Sequence, residues 1–230
     1  MLKVDILSLF PGYFCSPFDE SIFKQAKKKE LLQINLVDIR DYSDNRHRKV
    51  DDRPFGGGPG MVLMPEPVSA AIKSVKAPNS RVIYLTPQGA TFTAAKAKEL
   101  AQYEHLVLLC GHYEGIDQRV LDKEVDEEIS IGDFVLTNGC LAAIVVLDAV
   151  IRWVPNVLGD ALSASEDSFE NGLLDCPQFT RPEVFDGVAV PDVLQSGNHK
   201  KIAEWRKAAA VEKTRRIRPD LLLQLKEGTL

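Results

Sequence analysis

Hydrophobic and polar positions along the first half of the chain follow two alternating periods. Short apolar runs of strand length occur at residues 3–9, 31–39, 81–85 and 106–110. Between them, apolar residues recur at helical spacing in residues 16–30, 65–75 and 91–103. Because strands that alternate with helices are typical of βαβ units, the pattern predicts an α/β domain with a parallel sheet and helices on both faces.

The most apolar part of the chain, residues 106–147, is predicted to form the centre of this domain. The run 106–110 has the length of a buried strand and ends at Gly111. A further strand is predicted at residues 133–137, ending at Asn138 and Gly139, where a helical pattern begins. Ligands in open α/β sheets bind where strand ends meet loops, and glycine lets the backbone approach them closely. These two loops are therefore the predicted binding site.

A long polar loop is predicted at residues 40–61, and it ends in the glycine cluster 56–60. A loop of about 20 residues inside a compact domain is usually functional or disordered. It is not a phosphate-binding P-loop, since no Lys-Ser/Thr pair follows the glycines. Two interpretations stay open: a tight mobile turn, or a segment whose charged residues 46–53 contact phosphates and a base edge.

The character of the sequence changes after residue 155. Residues 159–175 are rich in Ser, Asp and Glu with little periodicity and are interpreted as a flexible interdomain linker. The predicted organisation is therefore a first domain at 1–158, the linker at 159–175 and a small helical domain at 176–230. Short helices are expected around Val193, Ile202, Trp205 and residues 221–225.

Charge is distributed unevenly along the chain. The net charge of −5 argues by itself against a nucleic-acid partner, yet residues 198–218 contain eight Lys or Arg against two Glu, a net charge of +6. A basic segment on an acidic body is typical of nucleic-acid-binding proteins. The helical domain is therefore a candidate for binding nucleic acid.

Composition limits the class of protein. The apolar fraction of 45% and the charged fraction of 27% are ordinary for a soluble globular protein. The longest uncharged stretch, residues 134–147, has 14 residues, fewer than the roughly 20 that a membrane helix needs, and the amino terminus does not resemble a signal peptide. Cys15, Cys110, Cys140 and Cys176 lack metal-ligand spacing, which favours free thiols in a reducing cytoplasm and predicts no metal site.

Several charged residues have two interpretations each. Glu114 and Asp117 flank Gly115, and they are either an acid–base pair or a cap for the helix predicted after them. The mostly acidic interval 122–133 is interpreted as a solvated surface. Asp148 and Arg152 lie four residues apart on the apolar helix, which favours an ion pair, although an arginine at that helix end could also reach a ligand.

Six segments carry a resemblance to a known family. They are residues 44–61 (DNRHRKVDDRPFGGGPGM), 84–89 (YLTPQG), 110–120 (CGHYEGIDQRV), 130–139 (SIGDFVLTNG), 165–187 (SEDSFENGLLDCPQFTRPEVFDG) and 190–206 (VPDVLQSGNHKKIAEWR). In order and spacing they resemble the bacterial tRNA (guanine-N1)-methyltransferases of the SPOUT superfamily, and the resemblance covers nearly the whole chain. Members of that family methylate N1 of the guanosine immediately 3′ of the anticodon, position 37 of tRNA.

The resemblance implies an α/β fold that periodicity alone does not predict: a SPOUT methyltransferase domain with a parallel sheet, in which the chain is threaded through a loop to form a trefoil knot. It also implies a small α-helical C-terminal domain that binds tRNA. It also implies S-adenosyl-L-methionine as methyl donor, a magnesium requirement and a cytoplasmic homodimer with active sites at the subunit interface. No membrane association is expected.

Site residues are carried over from the resemblance one by one. The implied catalytic residues are Asp167, as the base for guanine N1, and Arg152, as the cation that stabilises charge on the guanine. From its surroundings alone, Asp167 is only a carboxylate in a polar segment. The implied cofactor residues are Pro87, Gly111, Tyr113, Glu114, Gly115, Ile131, Gly132, Asp133, Phe134, Val135 and Leu136. The implied tRNA-binding residues are Arg46, His47, Asp51, Lys200, Arg206 and Arg215.

The chain departs from the family pattern at residues 138–143, where the family usually has Gly-Gly-Glu-Leu-Pro-Ala and this chain has Asn-Gly-Cys-Leu-Ala-Ala. Asn138 is expected to keep the turn because Asn tolerates positive φ. Cys140 replaces a carboxylate that could anchor the cofactor loop or the dimer. Two alternatives to the family's activity are a SPOUT methyltransferase with a different RNA target and a tRNA-binding protein that has lost catalysis.

Overall fold

The computed structural model describes residues 1–159 and 167–227, which divide into two compact units, one within Met1–Gly159 and the other within Asp160–Leu230. The first part of the predicted linker, residues 160–166, lies outside the described residues, as do residues 228–230. In the described part of the chain, no helix is long and apolar enough to cross a membrane.

A parallel sheet of five strands forms the centre of the first unit, as the alternating pattern predicted. Within residues 1–159, the first unit has seven strands in all: β1 (Leu2–Ser8), β2 (Leu32–Asp38), β3 (Asp51–Asp52), β4 (Val62–Leu63), β5 (Ser80–Thr91), β6 (His105–Cys110) and β7 (Glu127–Ser130). The order across the sheet is β2-β1-β6-β5-β7, and all four pairings are parallel. The short strands β3 and β4 pair antiparallel outside this sheet.

Helices follow the strands at most of the predicted places. In the first unit they are α1 (Ser21–Lys28), α2 (Pro65–Val75), α3 (Ala94–Leu100), α4 (Gln118–Glu124) and α5 (Cys140–Ile151). Pro65 begins α2 because a proline at the first helical position lacks only an N–H that would have no partner. Thr93 caps α3 by accepting from the amide of Lys96. The bounds of α2 coincide with the prediction, whereas α3 is shorter than predicted.

Apolar side chains are buried on both faces of the sheet. Ile6 and Leu108 belong to one core cluster and their neighbours Leu7 and Leu109 to the other, since successive residues of a strand point to opposite faces. The first cluster includes residues of α1, α3 and α5, and the second includes residues of α2 and α4. The prediction of helices on both faces is confirmed.

The strand predicted at residues 133–137 is wrong. The last strand of the sheet is β7, which begins at Glu127 within the interval interpreted as a solvated acidic surface. Glu127 Oε1 lies 2.8 Å from Lys96 Nζ, and Glu127 Oε2 lies 3.2 Å from an Arg81 guanidinium nitrogen. Asp126 accepts the amide of Val82 at 2.7 Å. The two cations neutralise Glu127 and the Val82 amide satisfies Asp126, so this acidic segment can form a strand at the sheet edge.

The predicted helix at residues 16–30 begins too early, because two 3₁₀ turns (Pro11–Phe14 and Pro17–Asp19) precede α1. The loop at 40–61 also contains local structure, since a 3₁₀ turn covers Ile39–Tyr42 and β3 lies within it. In the second unit, α6 (Asp192–Gln195), α7 (His199–Ile217) and α8 (Pro219–Glu227) follow a hairpin of β8 (Val184–Phe185) and β9 (Val188–Ala189) that the sequence pattern did not indicate.

Candidate functional site

A cleft of about 230 Å³ lies in the first unit, where the carboxyl ends of β5, β6 and β7 meet their loops. Four segments line it: the end of β5, the turn after β6, the loop from β7 towards α5, and the first turns of α5. Its lining residues are Tyr84, Leu85, Thr86, Pro87, Gln88, Gly111, His112, Tyr113, Glu114, Gly115, Ile129, Ser130, Ile131, Phe134, Val135, Leu136, Thr137, Asn138, Gly139 and Ala142.

Two glycines join the loops that bound this cleft. The amide of Gly139 donates to the carbonyl of Gly111 at 2.8 Å. A Cβ at Gly139 would lie 2.9 Å from the Gly111 nitrogen, and one at Gly111 would lie 2.8 Å from the Tyr84 hydroxyl oxygen. Only glycine allows the two backbones to approach this closely, so the sequence signal that marked both loops has a physical basis.

The turn after β6 connects the cleft to the loop at residues 40–61. Gly115 donates its amide to the carbonyl of His112 at 3.1 Å, and Tyr113 adopts a φ of +57° within the turn. The amide of Glu114 donates to Met61 at 3.0 Å and that of Leu63 donates to Gly115 at 2.9 Å. Backbone hydrogen bonds thus hold the end of the glycine-rich loop against the turn that lines the cleft.

The two carboxylates that flank Gly115 have different surroundings. Asp117 caps α4 by accepting from the Arg119 amide at 3.0 Å, and its side chain also accepts from the Arg119 guanidinium, which lowers the pKa of Asp117. This is the capping interpretation. Glu114 is exposed and lines the cleft, with its side chain against Gly60. The contacts with Arg119 therefore favour the cap over an acid–base pair for Asp117.

Most of the expected cofactor residues lie around the cleft. Its lining includes all of them except Gly132 and Asp133, which belong to the same loop after β7. Prediction by loop position overlooked Tyr84 and Thr86, although both fall in the quoted YLTPQG segment. Burial raises the pKa of Tyr84, which therefore stays a neutral phenol with its hydroxyl beside Gly111.

Ion pairs within the charged loop at residues 46–53, and from this loop to the segment before it, hold the loop in place. Arg48 pairs with Asp38 at 3.3 Å and also with Asp41, and Lys49 pairs with Asp52 at 2.8 Å. Arg46 and His47 are exposed, whereas Asp51 is half-buried in β3. Four of the following glycines, Gly56, Gly57, Gly58 and Gly60, have positive φ, so the cluster forms a turn that requires glycine.

Asn138 maintains the start of α5, but not in the expected way. Its backbone is not in the positive-φ region. Instead, its side-chain oxygen accepts the amide of Cys140 at 2.9 Å, which satisfies one of the unpaired donors at the start of a helix. The departure from the family's Gly-Gly is therefore compensated by a side-chain cap.

The expected catalytic pair is divided between the two units, and Arg152, in the first unit, is not among the residues that line the cleft. Arg152 is the C-cap residue of α5, about 18 Å along the helix from Cys140 at 1.5 Å per residue. Asp167 belongs to the second unit, where it is exposed beside a turn in which the Ser168 hydroxyl accepts the Asp175 amide at 2.9 Å. The ion pair considered between Asp148 and Arg152 stays a prediction.

The second unit presents basic side chains on α7. Lys200, Arg206 and Arg215 are exposed there, and Arg215 pairs with Glu212 at 2.6 Å. The buried hydroxyl of Thr214 accepts the Leu174 amide at 2.9 Å, which attaches the segment after Asp167 to this helix. Within residues 1–159 and 167–227, no group of three His, Cys, Asp or Glu side chains is arranged to hold a metal ion.

A parallel α/β sheet with a glycine-lined cleft at its strand ends is typical of the class of α/β proteins that bind a ligand at this edge of the sheet. Within that class, residues 2–224 match the family described as tRNA (Guanine-1)-methyltransferase TrmD, and the chain belongs to this family. The sequence resemblance is thereby confirmed.

The chain is similar to curated proteins of several bacteria. A protein of Protochlamydia amoebophila is 68% identical over 219 residues, which cover 95% of this chain and 99% of that protein. Proteins of Chlamydia pneumoniae and Chlamydia trachomatis serovar D are 57% and 56% identical over 96% and 97% of this chain. All three are named tRNA (guanine-N(1)-)-methyltransferase. The matched region spans only 61% and 63% of the two Chlamydia proteins.

Proposed function

We propose that this protein transfers a methyl group from S-adenosyl-L-methionine to N1 of the guanosine immediately 3′ of the anticodon in tRNA. The observation that carries the proposal is the cleft, in which three segments of the family's pattern, distant along the chain, meet around glycine backbones. The names of the relatives support the reaction class.

The residues present fit such a methyl donor. Gly111 and Gly139 leave backbone where a side chain would collide, and Tyr113, Phe134 and Leu136 add apolar surface to the lining. Cofactor sites combine mostly apolar surface with a few polar groups, and the exposed Glu114 carboxylate is one such group here. When bound, S-adenosyl-L-methionine supplies an electrophilic methyl group carried on a sulfonium.

The remaining task for the protein is to free the guanine lone pair. N1 of guanine carries a proton at neutral pH, so a base must accept that proton as the methyl group is transferred. We assign this step to Asp167, whose carboxylate is exposed beside a hydrogen-bonded turn. Arg152 would stabilise the negative charge that develops on guanine O6.

A homodimer would reconcile the position of Arg152 with this role. Arg152 lies at the opposite end of α5 from the cleft, so the cleft of one chain does not include its own arginine. On α5, Leu141 and Val145 are 47% and 48% exposed and lie four residues apart on one face. An interface along this face, as the family resemblance implies, would give each site residues from both chains.

The fold proposed for this site is the knotted SPOUT domain. After the edge strand β7 the chain passes the carboxyl end of β5 and reaches the carboxyl end of β6. There Gly139 is hydrogen-bonded to Gly111, the residue that follows β6. This return path, with α5 following it, supports a trefoil knot. We further propose a cytoplasmic location, consistent with four free cysteines and a tRNA substrate.

Binding of tRNA is assigned to two surfaces. The loop with Arg46, His47 and Asp51 is joined through β4 to the turn that lines the cleft, which suits contacts near the target base. Lys200, Arg206 and Arg215 on α7 would contact phosphates, which favours binding of the anticodon stem over recognition of sequence. A base in a single-stranded loop exposes N1 without the cost of opening a duplex.

The decisive experiment measures transfer of labelled methyl from S-adenosyl-L-methionine to unmodified tRNA transcripts. One transcript carries G and a second carries A immediately 3′ of the anticodon. Incorporation into the G transcript alone, reduced at least about a hundredfold in Asp167→Asn, is the expected result for a general base. Equal incorporation into both transcripts would indicate a different RNA target, and tRNA binding with no incorporation would indicate a protein that has lost catalysis.

A further inference from the structure

A buried polar cluster beneath the cleft has no role in the reaction as written above. Ser8 lies at the end of β1, His112 follows β6 and Cys140 begins α5; we refer to these three residues as the thiol–imidazole cluster. The Ser8 hydroxyl oxygen lies 3.1 Å from Cys140 Sγ and 3.4 Å from His112 Nε2. Ser8 and Cys140 are fully buried and His112 is 4% exposed.

The cluster is fixed to the end of β1 by further contacts. The Ser8 hydroxyl accepts the amide of Phe10 at 3.0 Å, and the amide nitrogen of Leu9 lies 3.5 Å from His112 Nε2. The ring of Phe10 meets that of His112 edge-on, with centroids 5.1 Å apart. Ser8 is therefore held in place at the end of β1, within hydrogen-bond distance of both Cys140 and His112.

Both partners of Ser8 belong to loops that line the cleft. His112 accepts the Gly115 amide and so begins the turn that carries Tyr113 and Glu114. It also forms an isolated antiparallel bridge with Asn138, directly before Gly139 and Cys140. One hydroxyl therefore connects the His112 turn and the start of α5 beneath the cleft, through its contacts with one imidazole and one sulfur.

Electrostatics favours a thiolate at Cys140. Its pKa is lowered to about 5, first by the hydrogen bond from the Cys110 thiol and then by those from His112 and Ser8, against the opposing effect of burial. Burial raises the pKa of Cys110, which keeps its proton and acts as donor. A buried anion needs such donors, and hydrogen bonds to charged groups are stronger than neutral ones.

We propose that Cys140 is a positioning residue for cofactor binding, because its sulfur holds the start of α5 to Ser8 and, through Ser8, to the His112 turn. The inference rests on the proposed function and deepens it. In the family pattern a glutamate usually stands at this position, so the thiolate would be this chain's own hydrogen-bond acceptor at the anchor between the two loops.

The test compares Cys140→Ala with Cys140→Ser and uses Cys15→Ala, at an exposed cysteine in another part of the first unit, as control. Binding of S-adenosyl-L-methionine is measured by calorimetry in the presence of reductant, below the Tm of every variant. Cys140→Ala should raise Kd about tenfold, the size of one hydrogen bond. Cys140→Ser, which restores an acceptor, should return Kd to within about threefold of wild type, and kcat at saturating cofactor should change little in either variant.

A purely structural role gives a different result. Cys140→Ala would then lower Tm while leaving Kd unchanged, and this outcome overturns the inference. Ser8→Ala removes the same bond from its other end and decides the question if Cys140→Ala does not fold; it should raise Kd by a similar factor. A wild-type chain that binds no S-adenosyl-L-methionine would overturn the proposed function and this inference together, whereas normal binding by all variants would overturn the inference alone.

Discussion

Gly139 donates its amide to the carbonyl of Gly111 across 2.8 Å, and this hydrogen bond helps to join the two loops that bound the cleft. The contact requires glycine at both positions, because a Cβ at either one would lie within 3 Å of neighbouring atoms. A methyl group at Gly139 would lie 2.9 Å from the Gly111 nitrogen and 3.0 Å from Cys110 Cα, both of them backbone atoms that cannot rotate away.

Gly139→Ala should therefore destabilise the fold by about 1–3 kcal/mol, as overpacking does, and widen the cleft. Urea denaturation measures the loss of stability, and calorimetry should show weaker binding of S-adenosyl-L-methionine. Gly12→Ala is the matched control, because a Cβ at Gly12 meets nothing within 4 Å. Equal stability and equal cofactor affinity in the two variants would contradict the proposed role of this contact.

The glycine-rich loop allows a second comparison, between Gly60 and Gly57. Their φ values are +79° and +80°, so alanine costs about 1 kcal/mol or somewhat more of backbone strain at either position. Only at Gly60 does the new methyl group meet Glu114, with its Cγ 2.6 Å away, whereas the space at Gly57 is open.

Gly60→Ala should consequently displace the Glu114 side chain from the cleft, and Gly57→Ala should not. We expect similar losses of stability in thermal unfolding for both, but a higher Kd for S-adenosyl-L-methionine only in Gly60→Ala. If both variants bind the cofactor like the wild type, Glu114 makes no contribution to the site.

Glu127 gives a prediction about pH. Burial acts to raise its pKa, but the hydrogen bonds from Lys96 and Arg81 outweigh burial, and the pKa of Glu127 is lowered below its ordinary value of 4.5. A carboxylate with a depressed pKa stabilises the folded state fully above the unfolded pKa, and that contribution is lost as the pH falls through the folded value.

Glu127→Gln should therefore cost on the order of 1–2 kcal/mol at neutral pH, and the difference from wild type should shrink below pH 4.5. Denaturant titrations across this range measure it. Glu99→Gln is the control, because Glu99 also pairs with Lys96, at 2.7 Å, but its side chain is 48% exposed. A difference that stays constant as the pH falls would mean that Glu127 is not held as a carboxylate.

The same ion pairs explain which parts of the fold the sequence could predict. Periodicity located β6, α2 and α5 because their apolar residues face a core, and glycines marked both cleft loops. Strand β7 was missed because Glu127 and Glu128 resemble a solvated surface until Arg81 and Lys96, more than 30 residues away, neutralise Glu127. Residues 133–137 resembled a strand because Phe134, Val135 and Leu136 form an apolar run. These side chains line the cleft instead of belonging to a sheet.

The residues of the candidate site were also predictable from the sequence only in part. The loops that follow β6 and β7 could be located by pattern, but Tyr84 enters the cleft through the packing of β5 against β6, which no local pattern encodes. The pattern indicated only that Arg152 could reach a ligand; the catalytic roles of Arg152 and Asp167 come from the resemblance and stay predictions. The polar bonds of Ser8 to Cys140 and His112 join residues more than 100 positions apart, so they too lay beyond sequence reasoning.

A second buried polar network lies towards the opposite, amino-terminal edge of the same sheet. Asp5 is 1% exposed and accepts from Asn35 at 2.7 Å, while its other oxygen lies 2.6 Å from His105 Nε2. Ser80 accepts the Ala77 amide at 2.7 Å, and its hydroxyl oxygen also lies 2.7 Å from His105 Nδ1. Because a carboxylate can only accept, His105 Nε2 donates to Asp5, so strands β1, β2, β5 and β6 share one chain of hydrogen bonds.

Asp5→Ala would leave the polar groups of His105 and Asn35 buried without their acceptor, so we expect a loss of about 3–5 kcal/mol in urea denaturation. Lys3→Ala is the control, because Lys3 also contacts Asp5, at 3.3 Å, but is 42% exposed and should cost no more than about 1 kcal/mol. Since the cleft lies at the carboxyl ends of these strands, Asp5→Ala should bind S-adenosyl-L-methionine with unchanged Kd wherever it is folded. A large rise in Kd would show instead that the two edges of the sheet are coupled.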